Sequence, residues 1–187
     1  MHIEQTSLPG ALILTPRRFA DDRGFFSEVW NRGLLAGHGI DLDFVQDNQS
    51  LSTRVGTMRG LHYQAPPFAQ AKLVRCGRGR LFDVAVDIRP GSASYGRWVG
   101  VELSAENGRQ LLIPAGFLHG FVTREPDTEV LYKCTAPYEA SADGAVRFDD
   151  PDLAIDWGIN QGEAILSAKD ASAPYLRAIA NQFPGAA

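Results

Sequence analysis

Two histidines in this chain of 187 residues stand where Gly or Pro interrupts an apolar run. His62 lies in the stretch Arg59-Gly60-Leu61-His62-Tyr63-Gln64, and His119 ends Pro114-x-Gly116-x-x-His119. The Pro-Gly turn closes one strand and reverses the chain, so that His119 opens the next strand. Lys72 and Arg59 add an amine and a guanidinium. Imidazole exchanges a proton near neutral pH, and positive donors stabilise the oxygen of a carbanion formed beside a carbonyl. The set suits proton abstraction next to a carbonyl. Two imidazoles, with no acid after His62 until Asp83, do not make a three- or four-ligand metal cage. The site is therefore expected to be metal-free.

The elements that must position these groups read as short strands. From about Gly24 to Phe148 the chain runs in Val-, Phe-, Leu- and Tyr-rich segments punctuated by Gly and Pro. Alternation is clear in Arg80–Arg89, with Phe82, Val84, Val86 and Ile88 on a core-like face and Leu81, Asp83, Ala85 and Asp87 on the other. Arg97–Leu103 repeats it, with Val99, Val101 and Leu103 opposite Trp98, Gly100 and Glu102. Turns are expected at Cys76–Gly79, Arg89–Ser92 and Ala105–Gly108. Helix is minor: Asn31–Gly37 can form a turn or two, and Ala173–Asn181 a short C-terminal helix with Pro174 in its first turn. Gly108, five residues and then Pro114-x-Gly116-x-x-His119 is the spacing of the second motif of cupin barrels. The first motif's His-x-His pair is missing, since His62 stands alone. The expectation is a mainly β, cupin or jelly-roll barrel with a few short helices, one of them near the C-terminus, in a single domain over residues 1–187.

Composition narrows the partners. With 18 basic and 22 acidic residues the net charge is -4, which disfavours a nucleic-acid backbone as the main partner. Only three of the basic residues are Lys, at 72, 133 and 169. An amine retained in an Arg-rich chain can supply a compact donor with a tunable pKa. Met1-His2-Ile3-Glu4 has no leader character and no run of apolar residues is long enough to span a bilayer, so a cytoplasmic protein with no membrane partner is expected. Cys76 and Cys134 lie in apolar strand-like runs and read as buried free thiols.

The chain resembles the dTDP-4-dehydrorhamnose 3,5-epimerase family. The resemblance is carried, in family order, by Asp22–Glu28, Val45–Ser50, Met58-Arg-Gly-Leu-His-Tyr-Gln64, Ala71-Lys-Leu-Val74, Phe82–Arg89, Pro114-Ala-Gly-Phe-Leu-His-Gly-Phe121, Thr128-Glu-Val-Leu-Tyr-Lys-Cys-Thr135 and Leu166-Ser-Ala-Lys-Asp170, which together span nearly the whole chain. It implies a homodimeric, cofactor-independent cupin enzyme acting on a dTDP-linked 4-keto sugar, whose C3 and C5 hydrogens are acidified by the ketone. On that reading His62 is the general base, Asp170 holds its far nitrogen, Tyr132 is the acid on the other face of the sugar ring, and Lys72 stabilises the enolate oxygen. Asp83 is a weaker site member.

For the nucleotide, Arg23, Arg59 and Lys169 are expected on the pyrophosphate. Glu28, Gln46 and Asn48 would read the base and deoxyribose, and Phe19, Phe26 or Tyr138 would stack on the base. His119 and Asp143 complete the substrate-binding set. Strict alternation places Arg59 and His62 on opposite faces, so a bulge is expected at Gly60. Asp143 stands where the family usually has Glu, Phe148 where Trp is common, and Pro137 where a second Tyr is frequent. An apolar Ala11-Leu-Ile-Leu14 run so near the terminus would be explained by a strand exchanged between subunits. The alternatives are a mono-epimerase of another nucleotide-linked 4-keto-6-deoxy sugar, a non-catalytic cupin that binds a nucleotide sugar, and a metal-dependent cupin oxygenase.

Overall fold

A computed structural model describes residues 1–179. Its strands in chain order are β1 (His2–Gln5), β2 (Leu12–Thr15), β3 (Arg18–Asp21), β4 (Gly24–Ser27), β5 (Gln46–Ser52), β6 (Met58–Gln64), β7 (Lys72–Arg78), β8 (Arg80–Asp87), β9 (Trp98–Ser104), β10 (Gln110–Ile113), β11 (Phe117–Thr123), β12 (Thr128–Cys134) and β13 (Asp143–Ala145). They form a six-stranded sheet in the order β1-β2-β10-β7-β12-β5 and a five-stranded sheet in the order β13-β6-β11-β8-β9. A separate hairpin pairs β3 with β4. The expected mainly β barrel of two sheets stands.

Three apolar clusters explain why the strands hold together. Between the sheets lie Val74, Cys76, Leu81, Ala85, Val101, Leu103, Leu111, Phe121 and Val130. The far side of the five-stranded sheet, with Met58, Leu61, Val84, Val86, Ile88 and Leu118, is covered by Val146, Phe148, Leu153, Trp157, Leu176 and Ile179 from the C-terminal segment. The far side of the six-stranded sheet packs Leu12, Leu14, Leu73 and Leu112 against Leu35, with Trp30, Leu34 and Phe44 at its border. Burying one such aliphatic side chain contributes about 1.5–3 kcal/mol.

This layering corrects one expectation about β8. Its more apolar row, Val84, Val86 and Ile88, faces outward under the C-terminal cover. The row with Leu81 and Ala85, which also carries Asp83, faces the barrel interior. Alternation was legible, but which face is interior depends on cover supplied by residues some 60 positions further along the chain.

The turns form where expected, with Gly79, Gly91 and Gly108 at φ of 73°, 76° and 63°. The first helix, α1 (Arg32–Ala36), is capped by Asn31, whose side chain accepts from Leu34 N. α2 (Ala168–Ala171) is capped by Ser167. α3 (Leu176–Ile179) begins two residues after Pro174, and the expected extension to Asn181 lies outside the described residues. The apolar run at residues 11–14 has a local explanation: β2 pairs with β1 and β10 of the same chain, and Leu14 is fully buried. Strand exchange is not needed to account for it.

Candidate active site

The site is built from both sheets at one end of the barrel. β6 brings His62 beside His119 of β11, which are direct register partners. From His119 to Phe121 β11 advances two residues while β6 goes from His62 to Arg59, three residues. The extra residue is the expected bulge, and it turns Arg59 and His62 to one cavity. Gly60 makes it possible: its φ is 112°, and a Cβ there would meet His119 O at 2.6 Å and Gly120 Cα at 2.7 Å.

From the opposite sheet, β7 contributes Lys72, β12 contributes Tyr132, and β5 contributes Gln46, Asn48 and Ser50. α2 closes the side of the site. The segment leading into it is tied to the start of β6 by a bridge between Thr57 and Ile165 and by Met58 N donating to Ile165 O at 3.0 Å.

A cavity of about 390 Å³ is lined by Arg59, His62, Lys72, His119, Tyr132, Lys169 and Asp170, with Ser50 and Ser167. A neighbouring lobe of about 270 Å³ shares His62, Lys72, Tyr132 and Lys169 and adds Gln46, Asn48, Tyr138 and Asp143. Ten of the twelve residues expected in the site thus line these two adjoining lobes.

Arg23 and Glu28 are outside it. Arg23 sits in the turn of the β3–β4 hairpin, exposed and paired with Asp21 at 2.6 Å. Glu28 is exposed just beyond that hairpin and lines neither lobe. Lys133, on the opposite strand face from Tyr132, pairs with Asp47 at 2.7 Å and sits over Trp30.

The hydrogen bonds define what each group can do. His62 Nε2 lies 2.6 Å from Asp170 Oδ1. With Nε2 donating to the carboxylate, Nδ1 carries the lone pair. Burial pulls the Asp170 pKa up, but His62, Ser167 and the Gly60 backbone outweigh it and hold the carboxyl below its ordinary range. Asp170 is therefore an anion, suited to orient the ring and to stabilise an imidazolium.

Burial lowers the Lys72 pKa, against the opposing pull of Cys134, Asp83 and Asp143. Burial likewise raises the Tyr132 pKa, so its hydroxyl holds its proton. Arg59 is anchored by Ser52 Oγ and Leu51 O, both at 3.2 Å. Across the second lobe, Lys169 pairs with Asp143, which also accepts from Tyr138 Oη at 3.1 Å. Gln46 accepts from Tyr138 N at 2.8 Å and donates to Asn48 Oδ1 at 2.9 Å.

Three residues were missed or underweighted. Ser167 caps α2 and donates to Asp170 Oδ2 at 2.9 Å, a role its place three residues before an acid could have signalled. Ser50 shares the inner row of β5 with Gln46 and Asn48. Asp83, fully buried, receives His119 Nε2 at 2.7 Å. Among the described residues no group of three or more His, Cys, Asp or Glu is arranged to hold a metal. Cys76 and Cys134 are buried and unpaired with each other.

The sequence profile of dTDP-4-dehydrorhamnose 3,5-epimerase matches residues 5–178. The chain belongs to this family. A dTDP-4-dehydrorhamnose 3,5-epimerase of Sinorhizobium fredii is 51% identical over 94% of this chain and 90% of its own length. The crystal structure of dTDP-6-deoxy-D-glucose-3,5-epimerase RmlC from Legionella pneumophila, in complex with dTDP-4-keto-L-rhamnose, is 43% identical and aligns over 100% of this chain and 98% of its own with a TM-score of 0.94. ChmJ, a 3'-monoepimerase from Streptomyces bikiniensis in complex with dTDP-quinovose, is 33% identical over 96% of this chain and 91% of its own, with a TM-score of 0.88. The relatives of known structure in this family share the two-sheet barrel.

Proposed function

We propose that the protein is a dTDP-4-dehydrorhamnose 3,5-epimerase, which inverts C3 and C5 of dTDP-4-dehydro-6-deoxy-D-glucose to give dTDP-4-dehydro-L-rhamnose. The observation that carries this reading is the placement of His62 and Tyr132 on opposite walls of one cleft, β6 of one sheet and β12 of the other. Inversion needs a proton removed on one face of a carbon and a proton delivered on the other.

His62 Nδ1 takes the proton beside the C4 ketone while Asp170 supports the imidazolium. The electron pair moves to the ketone oxygen, where the Lys72 ammonium stabilises the enolate; loss of one such donor typically costs about 3–4 kcal/mol of barrier. Tyr132 then protonates the opposite face. His62 releases its proton to solvent and Tyr132 regains one, so the net reaction is an isomerisation that uses no cofactor.

On the nucleotide side, Arg59 and Lys169 hold the pyrophosphate, while Gln46, Asn48, His119 and Asp143 position the rest, with Tyr138 against the base. The homodimer and a cytoplasmic location belong to this proposal. Among the described residues no helix is long and apolar enough to cross a membrane. The β3–β4 hairpin exposes Phe25 by 59% and Phe26 by 70%, which favours an association surface. Arg23 and Glu28 lie off the cleft of their own chain, so their contact with the nucleotide would come from a second copy.

A second reading, inversion at C3 alone, is favoured by the likeness to ChmJ. Turnover of dTDP-4-dehydro-6-deoxy-D-glucose in D₂O separates the two. Deuterium at both C3 and C5 is the expected result, and deuterium at C3 alone refutes double epimerisation. Binding without any exchange would instead mark a nucleotide-sugar-binding protein.

A further inference from the structure

Asp83 is a charged group that the proposed proton transfers leave without a task. It sits mid-strand in β8 and is 0% exposed. Its Oδ1 receives His119 Nε2 at 2.7 Å, and its Oδ2 is buried with no hydrogen-bond partner. A buried carboxylate satisfied on one oxygen only is costly unless a nearby positive charge compensates it. The interior row of β8 meets the interior row of β7, where Val74 and Cys76 share the inter-sheet cluster with Leu81 and Ala85 and where Lys72 shares their strand face. Among the described residues the Lys72 amine makes no hydrogen bond or ion pair, and it lines the cleft.

We infer that Asp83 is a positioning residue of the epimerase site: one oxygen fixes the His119 ring, and its charge keeps the neighbouring Lys72 amine protonated inside the barrel. The inference rests on the proposed role of Lys72 as the donor to the enolate oxygen, because only an ammonium can neutralise that charge.

The groups facing Lys72 are few enough to weigh. β12 presents Cys134 and Tyr132, β13 presents Asp143, and α2 presents Lys169. The neighbouring cavity wall presents Arg59 and His62 from β6, His119 from β11 and Asp170 from α2. Asp143 is already engaged by Lys169 and Tyr138, and Asp170 by His62 and Ser167. Cys134 is itself held neutral, since burial pushes its thiol up. Asp83 is the remaining anion of the set, and burial acts against the Lys72 charge that it supports. A nearby opposite charge favours the charged form of such an amine.

The test uses the full chain, with ¹⁵N NMR of the lysine amines. Three lysines give three resonances, and Lys72→Gln identifies the one in the cleft. In Asp83→Asn, the Lys72 midpoint is expected to fall by about 1 unit or more, and the alkaline limb of kcat to move with it while KM changes less than kcat. An unmoved Lys72 midpoint in a folded Asp83→Asn protein overturns the inference. If Asp83→Asn does not fold, Asp83→Ser, which removes the charge in a smaller side chain, is titrated in its place: the Lys72 midpoint must again fall, and an unchanged midpoint is equally fatal. The titrations need no substrate. Failure of the wild type to turn over the dTDP-sugar would therefore count against the proposed reaction and leave the Asp83–Lys72 coupling to be judged separately.

Discussion

His62 and His119 stand opposite each other on adjacent strands, and each gives Nε2 to a carboxylate from a different element, Asp170 of α2 at 2.6 Å and Asp83 of β8 at 2.7 Å. The two pairs differ in access: the His62 side chain is 33% exposed and that of His119 is 8% exposed. The more open ring can exchange protons with substrate and solvent. The buried one is better suited to donate or accept in a fixed geometry.

Asp170 sets which nitrogen of His62 carries the lone pair. Asp170→Asn offers an amide that can donate to Nε2 and shift the ring proton to Nδ1, the wrong tautomer for a base. Steady-state kinetics should show kcat lower by about 10²–10⁴ with KM little changed. Near-normal kcat would mean that the tautomer is set elsewhere.

Gly60 is where the bulge and the close approach to β11 coincide. Gly60→Ala forces a Cβ to 2.6 Å from the His119 carbonyl oxygen in a backbone conformation that only Gly adopts readily. Denaturant unfolding should show a loss of at least about 2–3 kcal/mol. An unchanged midpoint would show that β6 can give way without cost.

Asp87, at the end of β8, accepts from Arg89 Nη2 at 2.7 Å and from Ser92 Oγ and Ser94 Oγ, both at 2.6 Å. Burial alone would raise its pKa, but Arg89, Ser92 and Ser94 overcome that and hold the folded-state value well below the ordinary carboxylate range. The unfolded chain therefore takes up this proton first as the pH falls. The stabilisation is complete above about pH 4 and is lost as the pH drops toward the folded-state pKa. Asp87→Asn should cost about 2–3 kcal/mol at pH 7 and make stability less dependent on pH between about 4 and 2. Urea midpoints measured across that range for both proteins check the sign.

Much of this was legible in the sequence because it is local. Alternation in Arg80–Arg89, the Gly turns, and the conflict between Arg59 and His62 that demanded a bulge at Gly60 all follow from a few adjacent residues. The cleft membership of Asp170 was not local: it lies 108 positions from His62 and came only through the resemblance. Asp83 was underweighted because the more apolar row of β8 drew attention as the core face, whereas the C-terminal segment covers that row and leaves Asp83 facing the interior. Arg23 and Glu28 were grouped with the pyrophosphate and base by motif, but the β3–β4 hairpin carries Arg23 away from the cleft of its own chain and Glu28 stays exposed outside it.

The most direct test of the proposed chemistry is solvent exchange by His62→Ala. With dTDP-4-dehydro-6-deoxy-D-glucose in D₂O, mass spectrometry and ¹H NMR should show no incorporation at C3 or at C5, while the variant still binds dTDP. Incorporation at either carbon at a near wild-type rate would contradict the assignment of one imidazole, held by Asp170, as the base for both inversions.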